Sequence, residues 1–193
     1  MKHSLFIVLS GPSGGGKTTL VSRLQEAYPV ERVLTCTTRP PRPGEQPERD
    51  YHFLSVERFE RERREGSFLE CSEVYGFGYG LPRWEVETKI QRPCDLVVVM
   101  DVQGVRTLKS VFENGRYLGH RWVSIFVAPD SNEELEKRLL SRGSEGKESF
   151  RQRMSSAAHE RRCVSLFNYC IHSRTPQEDW AVLQDIYRRE KEK

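Results

Sequence analysis

The sequence predicts an α/β fold, a parallel sheet flanked by helices, and three observations predict it. Apolar runs alternate with helical patterns along most of the chain. Leu96–Met100 is a continuous apolar run of strand length, as expected of a strand covered on both faces, and Val123–Val127 is a second apolar run broken only by Ser124. The first apolar run, Phe6–Leu9, enters a glycine-rich turn and then a helical pattern.

Each element can be justified in order. Phe6–Leu9 reads as a buried strand, and Leu20, Leu24 and Ala27 then recur at helical spacing until Pro29. From about residue 36 to 92 the alternation breaks. A proline-rich loop leads to Tyr51–Leu54, a highly charged helix from Ser55 to Gly66, and short runs at Phe68–Glu70 and Val74–Tyr75, which together suggest a small inserted lobe. Leu96–Met100 gives the strongest strand signal. Beyond Gly104, the residues Val105, Leu108 and Phe112 mark one helix face that stops at Gly115. Val123–Val127 is the next strand. Ser131 and Glu134 have capping-box spacing, so a helix is expected to about Arg142, with Gly143 as its stop. The stretch 141–162 is helical, arginine-rich and poor in apolar residues, as a mobile cover would be. Tyr169–His172 is a late short strand. Thr175, Pro176 and Glu178 cap a last helix whose buried face carries Trp180, Leu183 and Tyr187.

Composition bounds the class. The 193 residues are 36% hydrophobic, with 14 glycines besides, which is enough for one packed domain. The 31 basic and 28 acidic residues leave a net charge of +3, which calls for no nucleic-acid partner. No run approaches the ~20 apolar residues of a membrane-spanning helix. The apolar N-terminal run leads into glycines and a lysine rather than a small-residue cleavage site, so secretion is not expected. The five cysteines (36, 71, 94, 163 and 170) form no C-x-x-C pair, as for reduced thiols in a cytoplasmic protein. A monomer or weak homo-oligomer is expected, with no membrane or nucleic-acid partner.

Gly11, Pro12, Ser13, Gly14, Gly15, Gly16, Lys17 and Thr18 match G-x-x-x-x-G-K-[ST] in full, directly after a strand and directly before a helix. Glycines let several backbone N–H groups face one anion, and the helix N-terminus adds its positive end. Lys17 is expected on the β- and γ-phosphates of the bound nucleotide, and Thr18 on Mg2+. The motif specifies a nucleoside triphosphate and leaves the acceptor open.

Asp101-Val-Gln-Gly104 follows a hydrophobic strand, where a second acidic residue acts on magnesium or substrate; a helix N-cap is the other reading. The same tetrapeptide fits a GTPase switch, but none of the asparagines (114, 132 and 168) is followed by the lysine of an N-K-x-D run. Arg39 and Arg42 lie three apart in a proline-stiffened loop and read as a fork for a second phosphate, to which Tyr51 can add a hydroxyl; a solvated basic loop is the other reading.

In this order, GPSGGGKT, TTRPPRPGE, DYHF, FLE, YGFGYG, DVQG and the Arg138-Leu-Leu-Ser-Arg142-Gly pattern resemble a guanylate kinase across nearly the whole chain. The resemblance implies a three-layer P-loop NTPase fold with a five-stranded parallel sheet, an inserted mixed α/β lobe that binds GMP, and a helical lid. The core would span about 1–35, 93–129 and 163–193, the lobe about 36–92 and the lid about 130–162. It implies transfer of the γ-phosphoryl group of MgATP to GMP, and to dGMP. Arg39, Arg42, Tyr51 and Tyr79 would hold the GMP phosphate. Glu70 would read guanine, with Thr35 keeping the hydroxyl of the family's serine. Asp101 would lie near the base and the reacting centre, and Arg138, Arg142 and Arg153 would close over the transferred group. Guanine presents N1–H and an amino group side by side, so one carboxylate can accept from both, and adenine would leave it unpaired.

Four positions depart from the family pattern. Leu81 replaces a serine or threonine expected on guanine O6, and Val99 an acidic residue two before Asp101. Ser173 replaces an asparagine beside the donor base, and Arg49 a glycine. They suggest an active kinase with altered or relaxed base preference. A P-loop kinase for another phosphorylated acceptor and a non-catalytic phosphopeptide-binding module are the rival readings.

Overall fold

The computed structural model describes residues 4–115, 120–141 and 147–193. Strand β1 (Ser4–Ser10) leads through the glycine turn into α1 (Lys17–Ala27), followed by β2 (Val30–Val33), β3 (Cys36–Thr37) and β4 (His52–Phe53). Then come α2 (Val56–Arg64), β5 (Phe68–Val74), β6 (Phe77–Pro82), α3 (Arg83–Lys89) and β7 (Asp95–Val99). The chain continues through α4 (Val102–Glu113), β8 (His120–Pro129), α5 (Asn132–Ser141), α6 (Lys147–Arg161), β9 (Tyr169–Ser173) and α7 (Pro176–Glu192).

The expected five-stranded parallel sheet is present, in the order β2-β7-β1-β8-β9. Its central strand β1 shows why the apolar runs are continuous. Leu5, Ile7 and Leu9 face one side, against Leu20 and Leu24 of α1 and Leu183 and Ile186 of α7. Phe6 and Val8 face the other, against Val105 and Leu108 of α4. Side chains alternate across a strand, so covering both faces requires apolar residues at every position. Phe6 is fully buried, and Phe6→Ala would cost about 3–5 kcal/mol in lost burial and cavity.

A second sheet of four strands, ordered β4-β3-β6-β5, is built within residues 36–82. The two short runs expected at Phe68–Glu70 and Val74–Tyr75 belong to one strand, β5, with an irregularity between Phe68 and Glu70. Tyr75 and Gly76 join β5 to β6, with φ of 55° and 77°. Two residues at positive φ make the mirror-image turn that matches hairpin twist.

Helix boundaries differ from expectation where side chains cap them. Helix α4 starts at Val102 rather than beyond Gly104, because Asp101 Oδ1 accepts from the N–H groups of Gln103 (2.7 Å) and Gly104 (3.1 Å). The capping box at Thr175 is complete. At Ser131 half of it forms: Oγ accepts from Glu134 N–H at 3.1 Å, while the Glu134 carboxylate turns to Arg138 Nε at 2.9 Å. The cysteines are unbridged. Among the described residues no helix is long and apolar enough to cross a membrane.

Candidate active site

The carboxyl ends of three neighbouring parallel strands converge. Strand β1 delivers the glycine turn, β7 delivers Met100 and Asp101, and β2 leads to Thr35. Ligands of open α/β sheets collect at this edge, because the helix N-termini and loops open there. A cleft of about 290 Å³ lies at this edge, facing the second sheet.

The glycine turn forms the floor of the cleft. Gly11 has φ 127°, and a Cβ on it would stand 2.1 Å from the Val127 carbonyl oxygen, so only glycine lets the turn lie on β8. Gly16, at φ 92°, begins α1 with no side-chain cap, leaving that helix end to an external anion. Lys17 Nζ donates to the carbonyls of Gly11 and, at 2.8 Å, Pro12. Ser13, Gly14, Gly15, Gly16, Lys17 and Thr18 line the cleft with Gly11. Pro12 contributes its carbonyl to Lys17 rather than a cleft surface.

Arg39, Arg42, Tyr51 and Tyr79 are brought together at the far wall. The buried Arg39 donates from Nη2 to both Glu45 oxygens at 3.0 and 2.9 Å, and from Nε to Tyr79 Oη at 3.2 Å. Its guanidinium lies 5.5 Å from the Tyr51 ring centroid. Glu45 also accepts from Arg42 N–H at 2.8 Å and sits 4.0 Å from Arg42 Nη1. One carboxylate therefore gathers both arginines, although the sequence reading gave Glu45 no role. Its place six residues past Arg39 in a Pro-Gly turn was the available signal. Burial, then the neighbouring Tyr79, pushes the Tyr51 hydroxyl pKa up, keeping it a hydrogen-bond donor.

A different chemistry occupies the first half of β5. Glu70 is buried, and its Oε2 has no hydrogen-bond partner among the described residues. Burial, then the charge of Asp101, raises its pKa to about 8. Both Asp101 oxygens have partners: Oδ1 caps α4, and Oδ2 accepts from the Ser72 hydroxyl alone and keeps further acceptor capacity. Capping and a place in the cleft thus coexist at Asp101. Thr35 lines the same cleft. Leu81 is fully buried in the core with Phe6, Val8 and Val86, and does not line the cleft. Val99 does line it, so no carboxylate stands at that position.

Helix α6 closes the cleft with Gln152, Arg153 and Glu160. Arg153 Nη1 donates to Ser13 Oγ at 2.9 Å, and its guanidinium stands 5.4 Å from the Tyr75 ring centroid. Glu160 was not foreseen. It lies seven residues, two helical turns, beyond Arg153, and this spacing was its only signal. Its Oε2 has no hydrogen-bond partner among the described residues; burial raises its pKa while nearby Lys17 opposes the shift.

Arg138 is not brought into this cleft. It lines a separate recess behind the turn with Gly14, Gly16, Arg174 and Asp179, where Nη1 donates to Ser173 Oγ at 2.7 Å. Arg142 lies outside the described residues. Among the described residues no three His, Cys, Asp or Glu side chains form a metal cage. The oxygen donors Thr18, Asp101 and the unpartnered Glu160 in one cleft do fit a hard cation that takes its other ligands from water and phosphate.

The sequence model of the family described as "Guanylate kinase" matches residues 3–190. The chain is 41% identical over 169 residues to a guanylate kinase of Rhodopirellula baltica, covering 86% of this chain and 78% of that protein. It is 37% identical over 190 residues to one of Clostridium acetobutylicum, covering 98% and 88%. The crystal structure of guanylate kinase from Anaplasma phagocytophilum superimposes with a TM-score of 0.79 at 28% identity, covering all of this chain and 89% of that one.

Proposed function

The chain belongs to the guanylate kinase family, and from this we infer that it transfers the γ-phosphoryl group of ATP to GMP, giving ADP and GDP. The observation that carries the reading is the buried Glu70 carboxylate, with Oε2 unpartnered among the described residues, in a cleft that also gathers Lys17, Arg39, Arg42 and Arg153. An unmatched buried acceptor is costly unless a ligand supplies donors. Guanine supplies two, N1–H and the N2 amino group, on adjacent atoms.

Arg39, Arg42, Tyr51 and Tyr79 then hold the GMP phosphate, with Glu45 yielding its place on the arginines to that dianion. The amides of the glycine turn and Lys17 hold the β- and γ-phosphates of ATP. Thr18, with Asp101 and Glu160 through water, would hold Mg2+, which neutralises charge on the triphosphate when bound. An oxygen of the GMP phosphate attacks the γ-phosphorus, the bond to the β–γ bridging oxygen breaks, and its electron pair leaves with ADP. The nucleophile is already anionic, so no general base is required. What the transfer needs is alignment and positive charge around the equatorial oxygens, from Lys17 and Arg153. We assign residues 36–92 as the acceptor lobe and 130–162 as the lid, with Arg138 on the donor side. Covering the cleft keeps water from taking the phosphoryl group.

The test is an ADP-release assay with ATP and a panel of GMP, dGMP, AMP, CMP and UMP. GMP is expected to give the highest kcat/KM. Equal or better turnover of a pyrimidine would remove Glu70 from its role. Lys17→Met is expected to abolish transfer while leaving GMP binding intact.

A further inference from the structure

Tyr75 occupies the first position of the two-residue turn between β5 and β6, with φ 55°. That position favours asparagine or glycine, because a bulky side chain in the left-handed region crowds its own backbone. Among the described residues Glu48 and Tyr75 are the two non-glycine residues at positive φ. A costly backbone conformation persists where the rest of the structure imposes it, and such places cluster at functional sites.

The side chain explains the choice. The Tyr75 ring lines the cleft and lies 5.4 Å from the guanidinium carbon of Arg153, which is 8% exposed. The same guanidinium donates to Ser13 Oγ in the glycine turn at 2.9 Å. A single cation on α6 therefore touches the phosphate-binding turn on one side and the tip of the second sheet on the other. Glycine or asparagine would make the turn more easily and leave that guanidinium without its aromatic face. A cation–π contact strengthens as water is withdrawn, as in this recess.

We propose that Tyr75 is a positioning residue for Arg153: the left-handed turn presents its ring to the guanidinium and fixes that cation between the sheet that binds the acceptor and the turn that binds the donor. The proposal rests on the phosphoryl-transfer reading for its kinetic consequence. Tyr75 acts through the orientation of another side chain, so its loss lowers kcat rather than raising KM.

The test uses the full chain with Tyr75→Asn, which keeps a backbone suited to the turn and removes the ring, and Tyr75→Phe, which keeps the ring. Tyr75→Asn is expected to have a Tm equal to or above that of the parent and a kcat about tenfold lower, with KM for GMP and ATP changed less than about twofold. Tyr75→Phe is expected to retain parental kcat. The Arg153 side-chain NMR resonances, read without nucleotide, are expected to carry an upfield ring-current shift in the parent and in Tyr75→Phe, and to lose it in Tyr75→Asn. A parental kcat in Tyr75→Asn, a loss of activity that tracks a loss of Tm, or Arg153 resonances indifferent to the ring would overturn the proposal. The resonance shift is read without turnover, so its loss in Tyr75→Asn supports the contact whatever the acceptor. Failure of the parent chain to phosphorylate GMP counts against the assigned reaction alone.

Discussion

Glu70 and Gly104 are in direct contact: a Cβ added to Gly104 would stand 2.7 Å from Glu70 Oε2 and 2.9 Å from its carboxyl carbon. The first turn of α4 thus runs against the carboxylate assigned to the base, and that approach is what requires glycine after Asp101-Val-Gln.

Gly104→Ala separates site geometry from stability. Alanine favours a helix interior by about 1 kcal/mol over glycine, so α4 itself gains. The new methyl group must move Glu70. We expect Tm to be unchanged or higher, KM for GMP to rise by about tenfold, and KM for ATP to stay at its parental value. An unaltered KM for GMP would contradict the assignment of Glu70 to the base.

The raised pKa of Glu70 predicts a pH profile. Guanine needs the ionised carboxylate, and burial with Asp101 holds the group protonated until about pH 8. For the free enzyme, kcat/KM for GMP should therefore rise as pH passes through about 8, and Glu70→Gln should flatten the profile at a low value. Linkage gives a second readout. The folded pKa lies above the ordinary carboxylate value of 4.5 in the unfolded chain, so the folded state binds the extra proton between the two values. Stability of the nucleotide-free protein from this group is full below 4.5 and is lost as pH rises through about 8. Glu70→Gln should remove that alkaline loss.

Glu85 provides the opposite sign. This buried carboxylate on α3 accepts from Leu34 N–H at 2.9 Å and from Lys89, and lies 3.7 Å from His52 Nε2. Burial would raise its pKa, but His52, the Leu34 amide and Lys89 outweigh it and bring the value to about 2. Its stabilisation is present above 4.5 and lost as pH falls through about 2. Glu85→Leu strands the Leu34 amide beside the cleft residue Thr35. It should cost about 2–4 kcal/mol in denaturant unfolding at neutral pH, with a smaller difference from the parent near pH 2.

The sequence made the fold legible where burial leaves no choice. Strands β1, β7 and β8 are covered on both faces, so their apolar runs stand out. Strand β2 is an edge strand, where Glu31 and Arg32 separate Val30 from Val33, and its pattern is too short to register. Helix α3 has seven residues and begins after Pro82 with no side-chain cap, so neither periodicity nor a start signal marks it.

The site divides along the same line. The phosphate-binding turn was readable because backbone amides can surround an anion only with glycines at set positions. Arg39 and Arg42 were readable as a local pair, and Glu70 only through resemblance, since one carboxylate in a strand announces nothing. Glu45, Tyr75 and Glu160 went unassigned because their partners lie across the cleft or across a turn. Arg138 was expected over the phosphoryl group through resemblance alone, since its four-residue spacing from Arg142 marks no more than a shared helix face. Its position in the recess is set by the carbonyl of Arg174 and the hydroxyl of Ser173, which sequence spacing does not encode.

Ser173 supplies the last test. Its side chain was expected beside the donor base in place of an asparagine, yet it is 2% exposed, and its hydroxyl donates to Asp179 Oδ2 at 2.5 Å while accepting from Arg138 at 2.7 Å. Asp179 is buried too and accepts from Arg174 N–H at 2.8 Å, so the hydroxyl links a fixed carboxylate to a long cation. A Cβ on Gly16 would meet both Ser173 Oγ and Asp179 Oδ2 at 3.8 Å, which puts this chain of contacts directly behind the phosphate-binding turn. Ser173→Ala removes the link without changing volume much. Arg138 keeps Glu134 and the Arg174 carbonyl but loses the hydroxyl that orients it, so the donor side loosens and the acceptor side does not. KM for ATP should rise about three- to tenfold, on the scale of one lost charge-assisted hydrogen bond, with KM for GMP unchanged. A variant in which KM for GMP rises instead would mean that the recess serves the acceptor, and the assignment of donor and acceptor to the two sides of the turn would have to be exchanged.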